Sequence, residues 1–165
     1  YGPDASSAAE VDLRAKADLA IPAGGAKLRI NHAFGFEAEA GLFYDGGFII
    51  LSDDSGSTWD VADCSSCGGL GYGGTIATTG FGNPMEGFEG FVSTSFGFAT
   101  TQLDLASYAG QSIRIGFRTS SDSSVGDFGW ILDDVRIFTC VPPPTEIFDD
   151  DFESGDLLGW SSSVQ

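Results

Sequence analysis

The stretch SIRIGFRT, residues 112–119, decides the fold. Ile113, Ile115 and Phe117 fall on one side of an extended chain and Arg114 on the other, the period of two that a strand shows when one face is wet. AKLRINHAF, residues 26–34, repeats the pattern and sets Leu28, Ile30 and His32 on one face. Between residues 10 and 140, short apolar runs alternate with turn residues, the spacing of a sandwich or barrel. Strands are predicted over residues 11–20, 26–34, 47–52, 75–78, 90–92, 98–105, 112–119 and 130–139. The stretches AGG 23–25, DGG 45–47, DDSGS 53–57 and GNP 82–84 supply positive φ or fix it, and are predicted turns. One helical turn is expected within DLASYAG, residues 104–110.

Composition agrees with this reading. In 165 residues, 24 Gly and 14 Phe favour pleated structure and tight turns over helix. The length fits one domain plus a tail. A net charge of −17, with only 7 Lys+Arg, repels a phosphate backbone, so no nucleic-acid partner is expected. No run approaches the ~20 apolar residues of a membrane span. The opening YGPDASSAAE has neither Met nor a signal peptide, as expected of a mature or trimmed product.

Cys64 and Cys67 lie in the Gly-rich loop DCSSCGGLGYGG, and Cys140 ends WILDDVRIFTC. In an oxidising compartment the expectation is a Cys64–Cys67 disulfide, or a bridge from either to Cys140, leaving one thiol over. A zinc site of Cys64, Cys67, Cys140 and His32 is the weaker alternative, because one CxxC is half a site. The single His32 alternates with Leu28 and Ile30 and reads as an inward, satisfied histidine. No GxSxG, HExxH or phosphate-binding Gly loop occurs, and no enzyme activity is expected.

The domain is predicted over residues 1–141, followed by a Pro-rich linker at 142–146 and an acidic tail at 147–165. YDGG, SDDSGSTW, LASYAGQ and GWILDDV are similar in order and spacing to the MAM-like jelly-roll modules of secreted bacterial proteins, including the C-terminal module of immune inhibitor A-type metallopeptidases. The resemblance covers roughly residues 18–140 and implies an all-β jelly-roll β-sandwich. That family usually opens with a strand reading FES...GW. Here the matching residues Phe152, Glu153 and Trp160 stand at the other end. The tail is therefore expected to fill the place of a missing first strand, with Phe148, Phe152 and Trp160 as its anchors, in its own sheet or a neighbour's.

Glu37, Asp45, Asp133, Asp134 and Glu153 flank predicted strand ends, where convergent oxygens suit Ca²⁺. In related jelly-roll modules the first-strand FE and the last-strand DD often serve a cation, so the resemblance favours Glu153 with Asp134. The expected ligand set is Glu37, Asp45, Asp134 and Glu153, with Asp54, Asp122 and Asp127 as turn formers. Trp59, Trp130, Tyr72 and the Phe residues suit a core better than a sugar platform. The expected function is a non-enzymatic, secreted structural protein that polymerises into an extracellular fibre or surface layer by donating its C-terminal strand. The alternative is an adhesion or carbohydrate-binding module, with glycans as partners, of a larger secreted bacterial protein.

Overall fold

A computed structural model describes residues 1–2, 4–139, 146–150 and 159–164, giving the backbone course alone for 146–150 and 161–164. The protein is all-β. Among the described residues, the eight longest strands build two antiparallel sheets: β1 (Ala9–Ala15), β2 (Lys27–Gly35), β3 (Gly46–Ser52), β4 (Ala99–Asp104), β5 (Ser112–Ser121), β6 (Gly129–Phe138), β7 (Glu146–Asp150) and β8 (Trp160–Val164). The first sheet runs β8-β1-β5-β3 and ends on the short strand Asp60–Val61; the second runs β7-β6-β2-β4 and ends on Gly68–Gly69. The expected helical turn is a 3₁₀ turn at Ala106–Tyr108.

The alternating faces meet between the sheets. Ile113, Ile115 and Phe117 of β5 share one buried cluster with Leu28 and Ile30 of β2 and with Val135 and Ile137 of β6. Strand β3 differs, because FIIL is a continuous apolar run and all seven residues of the strand are buried. Ile49 and Leu51 face the main core, while Phe48 and Ile50 join Ile76, Met85 and Val92 beneath the excursion that covers the outer face of the first sheet. Within that excursion the predicted strands shorten to Gly74–Thr75 and Glu89–Gly90, which pair with each other.

Two readings change. The predicted strand 11–20 breaks after Ala15: Asp18 pairs with Arg114 at 2.6 Å, and Leu19–Ala20 then rejoins β5. DGG 45–47 is not a positive-φ turn, for Gly46 and Gly47 open β3. Gly47 is needed for close approach, since a Cβ there would lie 2.7 Å from the Trp130 ring.

The tail joins the sheets of its own chain. Strand β7 pairs with β6, and β8 pairs with β1. Across the second sheet, Gln102, Arg29, Arg136 and Asp149 are successive cross-strand partners. The register thus sets an acidic strand beside two neighbouring arginines, in a chain that has few basic residues. Of the expected anchors, Trp160 is 1% exposed and packs against Phe117 at 5.8 Å. Phe148 lies in β7 opposite Ile137, with its side chain outside the described residues, as is all of Phe152. Cys140 and linker residues 142–145 also lie outside them, whereas Glu146, assigned to the linker, opens β7.

Trp160→Ala should cost about 3–5 kcal/mol of folding stability, read from urea unfolding of the full chain. A loss below about 1 kcal/mol would mean that this ring does not anchor the tail.

Candidate functional site

At one end of the sandwich, four chain segments bring carboxylates together. Glu37 follows β2 and Asp45 precedes β3; the loop between them folds back so that the Tyr44 amide donates to the Glu37 carbonyl at 3.1 Å. Asp122 follows β5, and its amide donates to Asp45 Oδ1 at 2.7 Å. One oxygen from each of Glu37, Asp45 and Asp122 lies within 4.8 Å of the others. Asp4, on the segment before β1, completes the surroundings: it accepts from the Ser121 hydroxyl (3.1 Å) and the Asp127 amide (2.9 Å).

This arrangement concentrates negative charge in a dry place. Asp45 and Asp122 are 0% and 2% exposed, and Oδ2 of each has no hydrogen-bond donor. Burial first, and Asp4 next, push the Asp45 carboxyl up to about 8. Burial and Asp122 likewise raise Glu37. The charges acting on these two groups are all carboxylates.

Of the four expected cation ligands, the structure brings together Glu37 and Asp45. Asp134 occupies a bulge of β6 at φ 54°, accepts from the Asn31 side chain at 2.8 Å and pairs with Arg136 at 3.0 Å, so its charge is used within the second sheet. Glu153 lies outside the described residues. Asp122 and Asp4 were not among the expected ligands. Asp122 does form the turn read for it, through Oδ1 to the Ser124 amide at 2.7 Å, but its second oxygen faces no donor. Asp54 is a turn former throughout, held down to about 2 by the Thr58 amide, the Thr58 hydroxyl and Ser52.

Aromatic side chains, here called the crown, stand on the chain segments that lead to and from the cluster. Tyr1 meets Phe128 at 6.4 Å, and Phe128 follows Asp127. Tyr44, next to Asp45, meets Phe81 at 6.3 Å, and the Phe81 carbonyl accepts from Ser123. Phe96, at φ 54° and 93% exposed, and Phe98 project from the loop that binds the end of β2. Of the rings weighed as sugar platforms, three sit elsewhere: Trp130 is buried, Tyr72 packs edge-on to Phe91 at 4.9 Å, and Trp59 lies under Arg14. A shallow groove of about 340 Å³ on another face is lined by Asp60, Asp63, Glu89, Tyr72 and Phe88.

His32 is fully buried. Trp130 Nε1 donates to its Nδ1 at 3.0 Å, which fixes the proton on Nε2 to donate to Thr101 Oγ1 at 2.8 Å; the Thr101 hydroxyl then donates to the Leu70 carbonyl. Both ring nitrogens are committed, and the zinc alternative fails at this ligand. The Cys64–Cys67 disulfide is formed, with Cys64 buried. Neither a protein-family model nor any curated protein matches this chain.

Burial lowers the His32 pKa from 6.5 to about 4. Above pH 6.5 the ring is neutral whether folded or unfolded; between 6.5 and 4 only the unfolded ring takes a proton. Its contribution is therefore complete above pH 6.5 and falls by about 3 kcal/mol as pH drops to 4. The imidazole NMR signal, unique in this chain, should show a neutral ring at pH 5; protonation there in the folded state would contradict this network.

Proposed function

We propose that this chain is a non-catalytic, extracellular jelly-roll module that binds carbohydrate through its aromatic crown, acting as an adhesion or carbohydrate-binding module of a larger secreted protein. The observation behind this reading is the placement of exposed apolar side chains. Among the described residues, Tyr1, Leu42, Phe81, Phe96, Phe98, Val125 and Phe128, seven of the eight large hydrophobics left exposed, stand on segments at the carboxylate end. Rings held at a rim offer apolar faces to the C–H faces of a pyranose, while nearby carboxylates accept from its hydroxyls. The disulfide suits an oxidising compartment. The single histidine, committed at both nitrogens, has no proton to exchange with a substrate.

A second reading keeps the same fold and makes the module a fibre subunit. It is favoured by the position of β7 and β8, the outermost strands of the two sheets. Edge strands can leave one copy and enter another without opening an interior ladder.

A glycan array probed with labelled protein should return reproducible ligands, and Phe96→Ala and Phe128→Ala should each weaken the best of them by roughly tenfold without lowering the melting temperature. Binding no stronger than to an albumin control rejects the carbohydrate reading. Electron microscopy of concentrated protein separates the two: fibres that vanish on deletion of residues 146–165 establish exchange, and a monomer at all concentrations rejects it.

A further inference from the structure

The carboxylate cluster has a feature that ordinary surface acidity lacks. Asp45 and Asp122 are buried, each spends one oxygen on a peptide N–H, and each keeps a second oxygen with no donor. A buried, unsatisfied carboxylate oxygen is costly, and two beside a third carboxylate are costlier still. No Lys or Arg in the described ion pairs reaches Glu37, Asp45 or Asp122. With no such partner among the described residues, compensation comes from a proton or from a bound cation, and a cation serves both bare oxygens at once.

We propose that Glu37, Asp45 and Asp122 bind one Ca²⁺, which ties together the ends of β2, β3 and β5. The donor set is oxygen alone, without imidazole or thiolate, and this selects a hard cation. Coordination habit selects within that class, because Ca²⁺ accepts several carboxylates in irregular geometry, whereas Mg²⁺ demands a near-ideal octahedron and gives up its water reluctantly. The three oxygens lie within 4.8 Å of one another, close enough to share one ion at ~2.4 Å. Water and main-chain carbonyls supply the rest of a coordination shell of six to eight oxygens. The Val125 amide donates to Glu37 Oε2 at 3.3 Å, so the ion also fixes the loop that leads to Phe128.

The cation orders the crown as well as the core. Tyr44 is joined to Asp45, and Phe81 is bonded to the residue after Asp122, so loss of the ion would loosen both. The site does not depend on the carbohydrate reading, and its test uses the metal alone.

Calorimetric titration of chelator-treated full chain with CaCl₂ should give one site per chain, and Ca²⁺ at a hundredfold excess over Kd should raise the melting temperature by roughly 5–10 °C. Asp45→Asn and Asp122→Asn should each weaken Ca²⁺ binding at least roughly tenfold. Their metal-free forms should melt no lower than metal-free wild type, because each loses a buried charge while its Oδ1 still accepts the same amide. Asp134→Asn should bind as wild type does, and Mg²⁺ should bind at least roughly tenfold more weakly than Ca²⁺. The assignment is overturned if Ca²⁺ leaves wild-type melting and heat unchanged, if both cluster variants bind normally, if Asp134→Asn abolishes binding, or if Mg²⁺ binds equally well.

Discussion

The ring of Phe117 lies 5.8 Å from Trp130 and 5.8 Å from Trp160. The three side chains come from β5 at the centre of the first sheet, from β6 in the second, and from the C-terminal strand β8. Through Phe117, one contact couples the two sheets to each other and a second couples the tail to the first sheet. Aromatic rings of this size dominate core burial and favour edge-on or tilted arrangements, which hold relative orientation as well as area. Gly47 follows from the same constraint, because only a residue without Cβ lets β3 pass so close to Trp130.

Charge is the second constraint on a chain with net −17. The basic residues are placed where strands must approach one another. Arg14 and Arg118 enclose the buried Asp12, and Arg118 also reaches Glu10 at 3.1 Å. Arg114 holds Asp18 at the break after β1. Arg29 and Arg136 lie in the row that meets β7, so the acidic tail adds an edge strand where positive charge is already gathered. In the ion pairs of the described residues no Lys or Arg reaches Glu37, Asp45 or Asp122, and this end is also where the apolar rim is exposed.

Two polar networks inside the protein are satisfied in series. Trp130, His32, Thr101 and the Leu70 carbonyl form one directional chain of donors and acceptors, which lets a histidine lie between two sheets at no cost in unpaired atoms. Asn83 does the same beneath the excursion: its amide donates to the Tyr44 and Ser120 carbonyls, and its oxygen accepts from Ser120 and Met85. Oδ2 of Asp45 and of Asp122, like Thr119 Oγ1, is buried without a hydrogen-bond partner, and the two carboxylates belong to one cluster.

Alternation in SIRIGFRT and AKLRINHAF was enough to give strand type and the inward face, because a period of two is a local property of extended backbone. The continuous FIIL run has no wet face because the excursion covers Phe48 and Ile50 while Ile49 and Leu51 face the main core. The Cys64–Cys67 bridge was legible as one of several pairings, since three residues of separation in a Gly-rich loop allow it. What sequence could not supply was which carboxylates converge. Asp134 looked equal to Asp45 in the chain, but a bulge in β6 turned it toward Arg136. Asp122 looked like any turn aspartate until strand pairing set its amide on Asp45. The face a residue occupies is fixed by its neighbours in sequence, whereas the ligand set of a site depends on strand order, register and bulges, which arise only when distant segments pair.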